Sequence, residues 1–195
     1  MAESHSVGHS QSPFGRGRLG LIVVGITLNL GIWFVVSTLK LPFYLDSIGT
    51  LLATTLGGLW VGITVGIISV LIGSLFVAKL WAYILTAVAI AAYTNITMKV
   101  GFLRRIVPTI LWGLGLGIVS ASFSAPISAY VWKGVKLAGS DGVTAFILAT
   151  GRTILEYIDL GAAVNEPIDK LVTALIVFAF LRRIPSSMKL RSDAP

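Results

Sequence analysis

Between Ser47 and Ala78 the chain runs for 32 residues without one charged side chain, and nearly every position is apolar or small. At ~1.5 Å per residue a single helix of that length reaches ~48 Å, too long for one crossing of a ~30 Å hydrocarbon core. Gly57-Gly58 lies about a third of the way along and is the natural place for the chain to reverse. The stretch therefore reads as two spans: Ser47 to Leu56 plus flanks, short or tilted, and Trp60 to Val77.

The same reading extends outward. A first span covers Leu19 to Leu39 and is followed by the short polar and aromatic connection Lys40 to Asp46. Pro42 discourages helix just before it, and Asp46 with Ser47 is placed to cap the next helix. A fourth span runs from Leu80 to Met98 and a fifth from Ile106 to Trp132, with the basic turn Lys99 to Arg105 between them. The last is Pro167 to Leu181, closed by Arg182 and Arg183. Val143 to Gly161 is long enough to cross, but Arg152, Glu156 and Asp159 share one of its helical faces. Charges at the centre of a lipid-facing helix cost about 2.5 to 3.5 kcal/mol each, so an amphipathic helix on the membrane surface is expected there. Residues 1–17 form a Ser-, Gly- and His-rich tail expected to be disordered. Residues 18–185 form the membrane domain and 186–195 a charged tail. Arg16 and Arg18 lead into a full-length span with no small-residue cleavage site, so no cleavable signal is expected.

The expected fold is thus an all-α integral membrane bundle of six transmembrane helices. Composition agrees: 55% of residues are hydrophobic and 12% charged, with a mean hydropathy of +0.91, against about 25% charged in soluble domains. With six spans, Arg16, Arg18, Lys99, Arg104, Arg105, Arg182, Arg183, Lys189 and Arg191 all fall on one side, opposed there only by Glu3 and Asp193. The remaining charges balance on the other. Lys and Arg near span ends favour the cytoplasm, which predicts both termini cytoplasmic and the amphipathic segment extracytoplasmic. It also accounts for the net charge of +7 without a nucleic-acid partner.

The chemistry available is narrow. There is no cysteine, and the two histidines lie in the N-terminal tail. No G-x-x-x-x-G-K-[ST] phosphate loop, HExxH or Ser-His-Asp set is present. An enzyme is not expected, nor any cofactor or metal. Gly113, Gly115 and Gly117 alternate inside a span and read as close helix contacts.

Polar and aromatic residues gather at the end of the bundle opposite the basic one. Asp46 heads the second span, Trp81 and Tyr83 open the fourth, and Tyr130 and Trp132 close the fifth. An interfacial aromatic belt accounts for part of this pattern. Asn165, Pro167 and the acids beside them also suit a helix start. Glu166, Asp169 and Lys170, however, stand three and four residues apart on one face, and a cap would not need both signs of charge. Such a cluster in or near a membrane usually faces protein or water. In the first span Gly20, Gly25 and Asn29 recur at spacings of five and four, and Gly62 and Gly66 form a GxxxG pair in the third. Both allow close approach of another helix, either within the chain or on a separate subunit.

Two segments carry a family likeness. Leu41-Pro42-Phe43-Tyr44-Leu45-Asp46-Ser47-Ile48-Gly49-Thr50, continuing through Gly57-Gly58-Leu59-Trp60-Val61-Gly62 and Gly66, resembles the second and third spans of the substrate-binding S components of energy-coupling factor (ECF) transporters. Asn165-Glu166-Pro167-Ile168-Asp169-Lys170-Leu171, with the Arg-Arg-Ile-Pro that ends its span, resembles their last helix. The resemblance implies high-affinity capture of a vitamin or similar micronutrient in a prokaryotic cell membrane. Uptake would be driven by a transmembrane coupling subunit and two ABC ATPases. It places the ligand among Lys40, Tyr44, Asp46, Trp81, Tyr83, Tyr130, Trp132, Glu166, Asp169 and Lys170, leaning to the riboflavin-like branch. It places the coupling subunit on the first helix, where Gly20, Gly25 and Asn29 stand in for the family's small-residue motif, with Gly62 and Gly66 as further candidates. A self-sufficient carrier or channel, or a membrane sensor or assembly subunit, is the alternative.

Overall fold

The computed structural model describes residues 16–41, 43–131 and 154–184. Six α-helices occur among them: α1 Arg16–Thr38, α2 Ile48–Gly57, α3 Leu59–Phe76, α4 Ile84–Met98, α5 Ile106–Tyr130 and α6 Ile154–Arg183. Short 3-10 turns, Ala78–Tyr83 and Phe102–Arg104, precede α4 and α5. The stretches Gly17–Thr38, Leu59–Phe76, Ala78–Met98 and Ile106–Ser128 are long and apolar enough to cross a bilayer. By these four the chain is a helical, multi-pass membrane protein.

The uncharged stretch divides where its glycines stand. α2 ends at Gly57 and α3 begins at Leu59, joined through Gly58 at φ 93°, a region glycine enters without strain. At 10 residues α2 rises only ~15 Å, too little to cross alone. Eight of its ten residues are buried, packed among α1, α3, α4 and α6. It is a central strut. Ser47 occupies its N-cap position but makes no capping hydrogen bond, so the expected Ser47 cap is absent.

The last helix departs further from expectation. No new helix starts at Asn165-Glu166-Pro167; α6 is continuous from Ile154, and Pro167 lies inside it. Residues 154–161 therefore belong to the final helix rather than to a separate surface segment, while residues 143–153 fall outside the described residues. A proline inside a helix loses one backbone bond, and in membrane proteins packed neighbours make this tolerable. Here the neighbour is α5. Gly117 lies directly against the Pro167 backbone, and a Cβ there would collide with it. One turn earlier, a Cβ on Gly113 would come within 2.9 Å of the Ala174 methyl and 3.0 Å of the Leu171 Cα. Gly113 and Gly117 thus let α5 and α6 approach closely. At the end of the bundle away from the 39–47 connection, Trp112, Leu116, Val177 and Leu181 form the core with Met98, Phe102 and Leu103.

Four of the five expected docking residues serve this internal packing. Gly25 is buried against Val65 and the Gly49 carbonyl, and Gly62 against Thr54. Gly66 faces Ala87 and Thr50. Asn29, 2% exposed, accepts the Gly49 N–H at 2.7 Å and donates to the Thr50 and Ser69 hydroxyls at 2.9 and 3.2 Å. These groups are turned inward. Gly20 has open space around it.

Candidate functional site

The connection between α1 and α2 folds into the bundle. Leu45 takes a left-handed φ of 46°, and the backbone N–H groups of Tyr44 and Leu45 both point at Asp169 Oδ1, at 2.8 and 2.9 Å. Non-helical backbone within a membrane protein needs such partners. The other oxygen, Asp169 Oδ2, lies 2.7 Å from Lys170 Nζ. Asp169 is fully buried and acts as the brace between α6 and the connection.

Lys170 gathers two further carboxylates. Its ammonium is 3.3 Å from Asp46 Oδ1 and 3.8 Å from Glu166 Oε2, one helical turn back. Glu166 also accepts hydrogen bonds from Ser120 at 2.7 Å and Ser124 at 3.0 Å. Both serines lie on α5 just beyond the close approach at Gly117. The small residues that admit Pro167 thus bring the α5 hydroxyls within reach of the α6 carboxylate.

Beside this cluster lies a cavity of about 130 Å³, far more than the roughly 10 to 15 Å³ that one water needs. Asp46, Glu166 and Lys170 line it together with Asn29, Thr50, Ser69 and Thr86, and Trp33, Tyr44 and Tyr83 supply aromatic rings. The Tyr83 hydroxyl is 3.0 Å from Ser128 Oγ. Burial, with the Glu166 charge next, pushes the Tyr44 phenol well above its usual range, so it remains a neutral hydroxyl. Two lining groups have no partner: the hydroxyls of Ser47 and Thr86, both buried and without a hydrogen bond. A buried polar group left unpaired costs roughly 1 to 3 kcal/mol.

Of the ten expected ligand residues, Tyr44, Asp46, Tyr83, Glu166 and Lys170 line the cavity, and Asp169 braces it from behind. Lys40, Trp81 and Tyr130 do not line it. Lys40 is exposed, and Trp81 and Tyr130 are 59% and 84% exposed, as residues of an interfacial belt would be. Trp132 lies outside the described residues. Sequence reasoning missed Trp33, Thr86 and the hydroxyl row Ser120, Ser124 and Ser128. That row is visible as serines four apart in an otherwise apolar span. Compared with family models, curated proteins and solved structures, the chain matches none.

Proposed function

We propose that this chain is a membrane-embedded substrate-binding subunit of the S-component kind. It captures a vitamin-like small molecule and relies on a separate transmembrane coupling subunit and two ABC ATPases for its uptake. The cavity carries this reading. It lies between the helices and the 39–47 connection, joins apolar side chains to convergent polar groups, and counts among its lining residues two whose buried hydroxyls lack partners. Binding sites have that composition. Without a phosphate loop in the sequence, the energy for release and transport comes from partners. Gly20 is the expected docking residue that remains exposed.

In this reading α2 and the 39–47 connection together complete one of six crossings, which place both termini in the cytoplasm. Arg104, Arg105, Arg182 and Arg183 mark the cytoplasmic end, and the cavity opens toward the outside. Asp169 then lies roughly 20 Å along the α6 axis from Arg182, inside the hydrocarbon depth. The test is uptake of whatever molecule co-purifies with the chain, measured in a host lacking every ECF coupling module. Uptake should require added coupling and ATPase subunits.

One observation favours a second reading, a self-sufficient carrier. Lys170 and its three carboxylates form an ionisable network between helices, and such networks often mark ion pathways. Transport by the chain alone in liposomes under an ion gradient would select it.

A further inference from the structure

Resting on the binding-site reading, we infer that the cavity takes a small organic cation, its positive group set against Asp46 and Glu166 and an acceptor-bearing edge set against the hydroxyls of the lining. Charge is the first consideration. Asp46, Glu166 and Asp169 surround one ammonium, so three carboxylates against one cation leave a formal excess of two negative charges. An ammonium carries three hydrogens, and Lys170 already has carboxylate oxygens at 2.7, 3.3 and 3.8 Å. It has little left to offer an anionic ligand. Asp46 is the open member, with its side chain half exposed where that of Asp169 is fully buried. A metal ion does not fit: Lys170 occupies the space between the carboxylates, and no group of three or more metal-ligating side chains is assembled among the described residues.

The hydroxyls are the second, independent consideration. Ser47 and Thr86 are 4% and 6% exposed, lack partners, and line the cavity. Thr50 and Ser69 accept from Asn29, so each keeps its own hydrogen to donate. The cavity's lining residues therefore also include hydroxyl donors, suited to a carbonyl or an unprotonated ring nitrogen. The site asks for two features in one ligand: positive charge at the carboxylates and lone pairs at the hydroxyls.

Benzamidinium, benzamide and benzoate have nearly the same shape and differ in charge, so they serve as probes. Each is titrated into the detergent-purified chain while Trp33 fluorescence is followed, with Trp33→Phe establishing which signal belongs to that ring. Benzamidinium should bind about tenfold or more tighter than either other probe. Asp46→Asn, and separately Glu166→Gln, should reduce that preference to within about threefold. Thermal melts of the variants identify any that fail to fold, and the two substitutions check each other. Benzoate binding as well as benzamidinium, or a cation preference kept in both variants, would overturn the inference while leaving the cavity a binding site. Failure of all three probes to bind would overturn the binding-site reading as well.

Discussion

Asp169 holds Tyr44 by its backbone: the carboxylate on α6 accepts the Tyr44 N–H at 2.8 Å across 125 residues of sequence. The same carboxylate accepts the Leu45 N–H and pairs with Lys170. One side chain thus satisfies two donors of a non-helical segment and one buried ammonium.

Asp169→Ala should therefore be among the most damaging single substitutions. It leaves a buried charge short of a partner and two N–H groups without acceptors, worth about 3 to 5 kcal/mol together. The thermal midpoint of the purified protein reads this loss. Asp169→Asn, which keeps an oxygen to accept the Tyr44 and Leu45 N–H groups, should melt higher than Asp169→Ala. An Asn variant melting as low as Asp169→Ala would show that those two hydrogen bonds do not brace the connection.

Gly117→Ala should destabilise by about 1 to 3 kcal/mol, the usual cost of overpacking, since its Cβ would meet the Pro167 backbone. Gly20→Ala, with nothing within 4 Å, should leave the melting temperature unchanged or slightly raised. Equal tolerance at both positions would refute the close approach of α5 to α6.

These positions also show what the sequence could and could not reveal. The helices α1, α3 and α5 were legible within a few residues, because apolar run length decides them, and so was the reversal at Gly58. The upstream extent of α6 was not. Asn165-Glu166-Pro167 is a good local helix start, and only the glycine opposite Pro167 lets the helix pass through it. Glu166 and Lys170 stood out as paired charges in a poorly charged chain. Trp33 did not, since a ring facing a cavity and a ring facing lipid look alike in an apolar run. Trp81 and Tyr130, which do not line the cavity, carry the same ambiguity: interfacial aromatics and ligand-stacking aromatics occupy the same end of a bundle.

The Tyr44 phenol is held neutral by burial and then by the Glu166 charge. A raised phenol pKa leaves stability flat until the unfolded chain ionises near pH ~10, above which stability falls as pH rises. An absorbance titration of wild type minus Tyr44→Phe should show no ionisation component at the ordinary phenol value. A component there would place the ring in water.

The chain has no native cysteine, which makes topology simple to test. Leu39→Cys and Val100→Cys, at positions 62% and 70% exposed, should label from opposite sides with an impermeant maleimide, Val100→Cys from the cytoplasm. Labelling from the same side would break the six-span arrangement.

The most direct test of the cavity as a capture site is native mass spectrometry of the chain purified in mild detergent, comparing wild type with Ser47→Ala/Thr86→Val. Wild type should carry one discrete small-molecule adduct. The double variant removes the two unpaired hydroxyls, each worth roughly 2- to 12-fold in affinity if it donates to that molecule. It should lose most of the adduct while melting no lower than wild type stripped of the adduct, because an empty cavity gains nothing from unpaired hydroxyls. Equal adduct occupancy in both proteins, or no adduct on wild type, would contradict the account.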